Sequence, residues 1–257
     1  MHIHSAQEPT LKADPRAQRQ LLEVQELDSR IDQLRHRRAA LPEHVELENL
    51  AAQRKHLDDR ARDARIKVDD LTVAQRKADA DVESVRARRR RDQERIDAGL
   101  ISNPKDLERM QKEIENIDRR IGVLEDEELE VMEQLEESQG TLDELTAQLA
   151  ELDGRIAEVT AARDEAAGRI DSEGRVAVAQ RPSTVEGTPA DLLALYEKLR
   201  SQKGGVGVGL LRARQCGGCG LSLDQAELSR IRSAPTDEVI RCEECSRILV
   251  RTDESGL

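Results

Sequence analysis

Apolar residues recur from Val24 in alternating steps of three and four: Val24, Leu27, Ile31, Leu34 and Leu41, with Arg38 interrupting. That spacing is the seam of a helix packed along another helix. Pro42 follows at once, and proline removes a backbone donor and clashes with the preceding turn, so a kink or break is expected near residue 42. The seam resumes in a shifted phase through Leu50, Leu57, Ala61, Ala64, Val68, Leu71, Ala78, Val82, Val85 and Ile96. A first helical arm is therefore expected from about Pro15 to about Ala98. In "DAGLISNPKDL", Gly99 suits a helix C-terminus. Asn103 reads as an N-cap with Pro104 at the first helical position. The turn falls at 99–103, short enough for an antiparallel helical hairpin.

The second arm has the cleaner seam, from Leu107 and Met110 through Leu152, Ile156 and Val159, fading near Ile170. Glu128 and Ser138 are its polar entries. If the chain folds back at residues 99–103, facing residues have numbers adding to about 202 or 203. Val82 then meets Ile121, Leu71 meets Val131, Val68 meets Leu135 and Leu57 meets Leu145. Gln75 meets Glu128, a matched polar layer of the kind that fixes register at some cost in stability. The hairpin is expected over 15–180, and its arm beyond Pro42 would be roughly 80 Å long at 1.5 Å per residue.

Residues 181–203 read as a linker with one short helix. Thr188, Pro189 and Asp191 look like an N-cap, a first-turn proline and an early acid ahead of Leu192, Leu193, Leu195 and Tyr196. Gly205, Gly207 and Gly209 do not fit the dinucleotide fingerprint and suggest a flexible entry into a strand. Strand-like "VGLLRAR", "EVIR" and "RILVR" surround the helical "SLDQAELSRIRS" over 204–252.

All four cysteines lie in this last segment. Cys216 and Cys219 form one C-x-x-C pair, Cys242 and Cys245 a second, with twenty-two residues between the pairs. Two tight turns, each carrying two thiolates, can surround one metal tetrahedrally, as in a zinc ribbon. Gly217, Gly218 and Gly220 are expected to give the first turn its positive φ, whereas the second has Ser246 where a ribbon often has glycine. One structural Zn2+ is the expected occupant, closing a site with no open position and folding a segment that has little core. A thiol redox pair is the competing reading, and spacing alone leaves an iron–sulfur centre open.

Composition strengthens the helical reading. The chain has 257 residues, no Phe or Trp and one Tyr, and charged residues match hydrophobic ones at 37% each. Such a chain buries Leu, Ile, Val and Ala on narrow stripes. The fold class expected is mainly α, a long antiparallel coiled-coil hairpin with a small C-terminal β zinc ribbon. Between Pro104 and Ser172 there are 8 basic and 21 acidic residues, which accounts for essentially all of the net charge of −12. The densest acidic run, "LEDEELEVMEQLEE", reads as a solvated face, with docking of a basic partner as the alternative. The N-terminus has no signal-peptide core, and no stretch is long and apolar enough to span a membrane. A soluble, cytoplasmic protein is expected. His2 and His4 fall in a terminal stretch that suggests no metal role.

Arginine clusters at the turn: Arg86, Arg88, Arg89, Arg90, Arg91 and Arg95, with Lys105, Arg109 and Lys112 across from them. The ribbon adds Arg212, Arg214, Arg230, Arg232, Arg241, Arg247 and Arg251. Arginine pairs with phosphate bidentately, so both groups are candidate contacts for nucleic acid or an acidic partner. Interleaved acids and the lack of stacking aromatics weigh the other way. No H-E-x-x-H, P-loop or G-x-S-x-G motif is present, and no enzyme activity or small-molecule substrate is expected.

"LLEVQELDSRIDQLRHRRAALPE", "NPKDLERMQKEIENIDRRIGVLEDEELEVMEQLEE" and "LYEKLRSQKG", followed by the two cysteine pairs, resemble in this order the bacterial C4-type zinc-ribbon coiled-coil hairpin proteins, in particular their actinobacterial members. The resemblance spans nearly the whole chain. It implies a hairpin with the ribbon at the end opposite the turn, and zinc on Cys216, Cys219, Cys242 and Cys245. The usual Pro and Gly around Cys245 are missing. The roles it implies are non-catalytic: binding RNA, or partnering transcription (sigma factor) or export machinery. The expectation is a zinc-binding adaptor for a protein partner and for RNA. A nucleic-acid regulator acting through the arginines and a thiol/zinc redox switch are the alternatives.

Overall fold

Proline and glycine divide the helices where the sequence places them. In the computed structural model, which describes residues 11–257, α1 spans Pro15–Ala39 and α2 spans Pro42–Asp97 with Pro42 at its start. The expected kink is thus a full break. His2 and His4 lie outside the described residues. Gly99, at φ +66°, ends α2, with its amide on the Ile96 carbonyl. Helix α3 (Pro104–Val185) starts where Asn103 Oδ1 accepts the Lys105 amide at 3.0 Å.

The chain forms two compact units. One comprises residues 43–161 and is the antiparallel pairing of α2 with the first part of α3. Val82, Ile114, Ile117, Leu124, Leu135 and Leu145 are buried there. Ion pairs join the arms: Arg54–Asp153 at 2.6 Å, Arg155–Glu46 at 2.7 Å, Arg86–Glu125 at 2.5 Å, Arg88–Glu113 at 2.8 Å and Arg89–Asp118 at 2.5 Å. Their residue numbers add to between 201 and 211, a range that brackets the expected register. Gln75 and Glu128 are both half-buried. Ser138 is fully buried, and its hydroxyl has no hydrogen-bond partner.

The other unit joins residues up to Pro42 with residues 162–257, and here the expected boundaries need correction. Helix α1 is not simply one strand of a coiled coil. Ala17, Gln18, Leu21, Val24, Gln25, Asp28, Ile31 and Leu34 are all buried, a face wider than a two-helix seam. It packs with α4 (Ala190–Gln202) and the sheet into one core that includes Leu21, Val24, Leu192, Tyr196, Val208 and Ile248. The expected linker over 181–203 is almost entirely helical. Helix α3 continues through Pro182 to Val185, because α1 holds its end: the Gln20 amide donates to the carbonyls of Thr184 (2.8 Å) and Glu186 (2.7 Å). The cap of α4 also moves by one residue. Pro189 occupies it, and the Thr188 hydroxyl is buried without a partner.

A buried polar cluster ties this unit together. The Asp28 side chain, 2% exposed, accepts from Arg181 Nε (2.7 Å) and Nη2 (3.1 Å) and from the Tyr196 hydroxyl (2.9 Å). Arg200 approaches Asp28 at 3.6 Å and bonds Asp32 at 2.6 Å, while Arg181 also pairs with Glu197. Burial alone would raise the Asp28 pKa, but the bonds from Arg181 and Tyr196 outweigh it and hold the carboxyl below its ordinary range.

The sheet has the order β2-β1-β4-β3, built from β1 (Val208–Arg212), β2 (Gln215–Cys216), β3 (Ile240–Arg241) and β4 (Ile248–Val250). Strand β1 pairs parallel to β4 and antiparallel to β2, and β3 pairs antiparallel to β4. Helix α5 (Gln225–Ser233) lies between β2 and β3 in the chain, capped by Asp224, whose carboxylate accepts the Glu227 amide at 2.7 Å. A second small core gathers Leu211, Leu223, Leu228, Ile231, Ile240 and Leu249 around Cys216 and Cys242.

Candidate metal centre

Each cysteine pair sits on a knuckle, and the two knuckles repeat one set of backbone bonds. The Cys216 amide donates to the Leu221 carbonyl at 2.9 Å and the Gly220 amide to the Cys216 carbonyl at 2.7 Å. In the second, the Cys242 amide donates to the Arg247 carbonyl at 3.0 Å and the Ser246 amide to the Cys242 carbonyl at 2.8 Å. The residue after each second cysteine is left-handed: Gly220 at φ +76° and Ser246 at φ +63°. Serine thus takes the conformation that glycine takes in the first knuckle. Gly217 and Gly218 do not have positive φ, contrary to expectation; a Cβ on Gly217 would lie 2.7 Å from the Leu210 carbonyl oxygen, and one on Gly218 would lie 2.7 Å from the Arg247 Cδ. Gly209 is likewise no flexible hinge, since a Cβ there would overlap the Gly218 amide nitrogen.

The folded knuckles bring all four sulfurs within 4.8 Å of one another. Cys216 and Cys242 are buried and Cys219 and Cys245 half-buried, and none is in a disulfide. A zinc ion with Zn–S bonds of about 2.3 Å separates its sulfurs by about 3.8 Å. The Cys216 and Cys245 sulfurs stand 3.8 Å apart. Backbone amides also face the sulfurs: those of Cys219 and Gly218 toward Cys216, and those of Cys245 and Glu244 toward Cys242. The donor set, its spacing and its closure fit one structural zinc, with four protein ligands and no position left for water or substrate. Bound there by Cys216, Cys219, Cys242 and Cys245, zinc would supply the cross-link between the two knuckles.

Without metal, burial pushes the Cys216 and Cys242 thiols above the ordinary value, against the pull of those amides. Burial also opposes the Cys245 thiolate. There it is outweighed by the amide and guanidinium of Arg247 and by the neighbouring thiols, which bring its pKa down to about 7. The buried Glu227 carboxylate accepts the Glu243 amide at 3.1 Å, fixing α5 to the second knuckle.

A family model for a CT398-like coiled-coil hairpin domain matches residues 24–204, and one for a C4-type zinc ribbon domain matches residues 215–249. The chain belongs to this hairpin family. Protein Rv2229c of Mycobacterium tuberculosis is 33% identical over 243 residues, covering 95% of this chain and 98% of its own. A solved structure from Mycobacterium smegmatis superposes with a TM-score of 0.83 at 35% identity, covering 94% of this chain and all of that one. CT398 of Chlamydia trachomatis shares the fold, with a TM-score of 0.68 at 20% identity over 91% of this chain and 97% of its own. The actinobacterial resemblance agrees with these mycobacterial relatives.

The arginines fare differently from the cysteines. Near the turn, Arg86, Arg88 and Arg89 are drawn across to acids of α3, Arg90 reaches Glu83 at 3.5 Å, and Arg109 pairs with Asp106 at 3.2 Å. Arg91, Arg95 and Lys105 are exposed and enter no ion pair among the described residues. In the ribbon, Arg212 pairs with Glu254, Arg230 with Glu243, and Arg214 donates to the Gly256 carbonyl. Arg232 is exposed beside Ile231 and Leu257. Arg251 is spent internally, its guanidinium reaching the carbonyls of Ile231, Ala234, Pro235, Thr236 and Glu238. The Asp28 cluster escaped sequence reasoning. Its one available signal was Tyr196, the single aromatic of the chain. No helix among the described residues is long and apolar enough to cross a membrane.

Proposed function

We propose that the protein is a non-enzymatic, cytoplasmic, zinc-dependent adaptor that binds a protein partner through its hairpin and ribbon. The observation that carries this reading is the closed sulfur cluster. Four cysteines fill every tetrahedral position, so the metal shapes a surface and has no vacant site for a substrate. The two families matched are a coiled-coil and a zinc-ribbon domain, which supports an interaction module. The test is affinity capture from the source organism with zinc-loaded protein, with and without nuclease, beside a Cys216→Ser/Cys242→Ser variant. One stoichiometric protein retained through nuclease and lost with the double variant is expected. Recovery of the bait alone would refute the reading.

RNA binding is the second reading, supported by Arg91, Arg95 and Lys105 standing exposed without ion pairs among the described residues. Its gel-shift test exchanges Arg91 and Arg95 for Glu. Unchanged retention of RNA by that variant would remove the turn from consideration.

A further inference from the structure

The two knuckles match bond for bond, which exposes the position where they differ. The residue whose carbonyl receives the first cysteine's amide is Leu221 in one and Arg247 in the other. Leu221 is 52% exposed. Arg247 is half-buried and lies across Gly218, where a Cβ would come within 2.7 Å of its Cδ. Its carbonyl receives the Cys242 amide at 3.0 Å, so its backbone is part of the second knuckle. Its guanidinium donates through Nε to the Val206 carbonyl at 2.8 Å and through Nη2 to the Lys203 carbonyl at 2.6 Å. Lys203 is the C-cap of α4, where a helix presents unsatisfied carbonyls and partial negative charge.

We propose that Arg247 is a positioning residue that ties the zinc centre to the α4–β1 connection at Lys203–Val206, so that metal occupancy of the ribbon is felt there and at α1. A planar guanidinium fork can serve the two carbonyls from one fixed stem, whereas lysine offers one compact ammonium. A zinc ion held by four thiolates would leave a net charge of −2 on the centre, which a guanidinium nearby would offset. The connection turns on Gly204 and Gly205, both left-handed at φ +68° and +88°, and the Gly205 amide donates to the Arg200 carbonyl at 3.0 Å. Beyond it, Gln25 of α1 donates to the Gly205 carbonyl at 2.8 Å and accepts the Gly207 amide at 2.7 Å. The second knuckle, Arg247, the connection and Gln25 therefore form a continuous chain of contacts from the residues that would hold the metal to α1. Because coupling between sites is reciprocal, loosening either end weakens the other.

The test uses the full-length, zinc-loaded protein and its Arg247→Ala, Arg247→Met and Arg247→Lys variants. Zinc affinity is read by competition with a chromophoric chelator, and hydrogen exchange is read at the Gly205 and Gly207 amides. Removing a group that supports metal ligands typically weakens metal binding by about 10–100-fold, and that loss is expected for Ala. Met keeps the stem over Gly218 without the charge and should behave as Ala does; Lys should fall between. Exchange at Gly205 and Gly207 should rise in the zinc-loaded Ala and Met variants, and in wild type once zinc is stripped. Zinc affinity within twofold of wild type for Met would show that packing alone is at work and overturn the proposal. So would stripping that accelerates the knuckle amides and leaves Gly205 and Gly207 at their zinc-loaded rates. If the Ala variant does not fold, Met and stripped wild type decide the matter.

Discussion

Replacing Asp28 with alanine should destabilise the unit built on α1 and α4 far more than its single carboxylate suggests. The carboxylate holds Arg181 through two bonds, accepts the Tyr196 hydroxyl and lies 3.6 Å from Arg200. Its removal leaves the buried Tyr196 hydroxyl without its acceptor and takes two bonds from Arg181, which keeps Glu197, while Arg200 keeps Asp32; breaking a buried pair outright costs roughly 3–5 kcal/mol. The Arg181 side chain is 29% exposed and both arginines retain an acid, so the lower end, about 3 kcal/mol, is the most the change should cost. Tyr196→Phe, which removes one bond to a charged acceptor, should cost about 1.5–3 kcal/mol. Tyr196 is the only aromatic side chain in the protein, so its fluorescence during urea unfolding reports this unit alone, while far-ultraviolet dichroism follows both units. A loss of 3 kcal/mol would move the fluorescence midpoint by roughly 1–3 M urea. The pH sign is fixed too. The Asp28 pKa is lowered from 3.8, so its contribution is complete above that value and fades as pH falls through the lowered one. The gap between wild type and Asp28→Asn should therefore close in acid. A midpoint for Asp28→Ala indistinguishable from wild type would refute the reasoning.

Ser246→Gly relieves a left-handed side chain at the second knuckle, and after the added freedom of the unfolded chain is counted it should stabilise the ribbon by about 0.5–1 kcal/mol in thermal unfolding. Gly209→Ala, by contrast, drives a Cβ into the Gly218 amide and should lower zinc content, measured by elemental analysis. Zinc binding at pH 7 should release at least the protons of Cys216 and Cys242, whose thiols burial keeps neutral without metal; titration calorimetry in buffers of different ionisation enthalpy counts them, and affinity should fall as pH is lowered.

Much of this molecule could be read from spacing. Pro42, Gly99 and Asn103–Pro104 act through local backbone chemistry, and each break or turn lies where that chemistry puts it. The four cysteines were legible for the same reason, because metal geometry constrains short spacings. The unit around α1 was not. Its wide buried face depends on α4 and on strands more than 150 residues away, and the heptad reading saw only the stripe along one helix. The extension of α3 through Pro182 depends on Gln20, again a distant partner. The turn arginines looked available in sequence, and mostly are not, because α3 brings acids opposite them. Arg247 was visible as one of many ribbon arginines, and only the matched knuckles set it apart.

The central claim is that four cysteines close a structural zinc site on which the ribbon depends. Native mass spectrometry of protein purified without added metal, followed by thiol labelling before and after chelation, tests it most directly. The account predicts one zinc per chain, four thiols protected while it is bound, and all four labelled once it is removed, with the ribbon unfolding. A metal-free protein whose ribbon is folded and whose thiols react at once, or pair into a reversible disulfide, would contradict it.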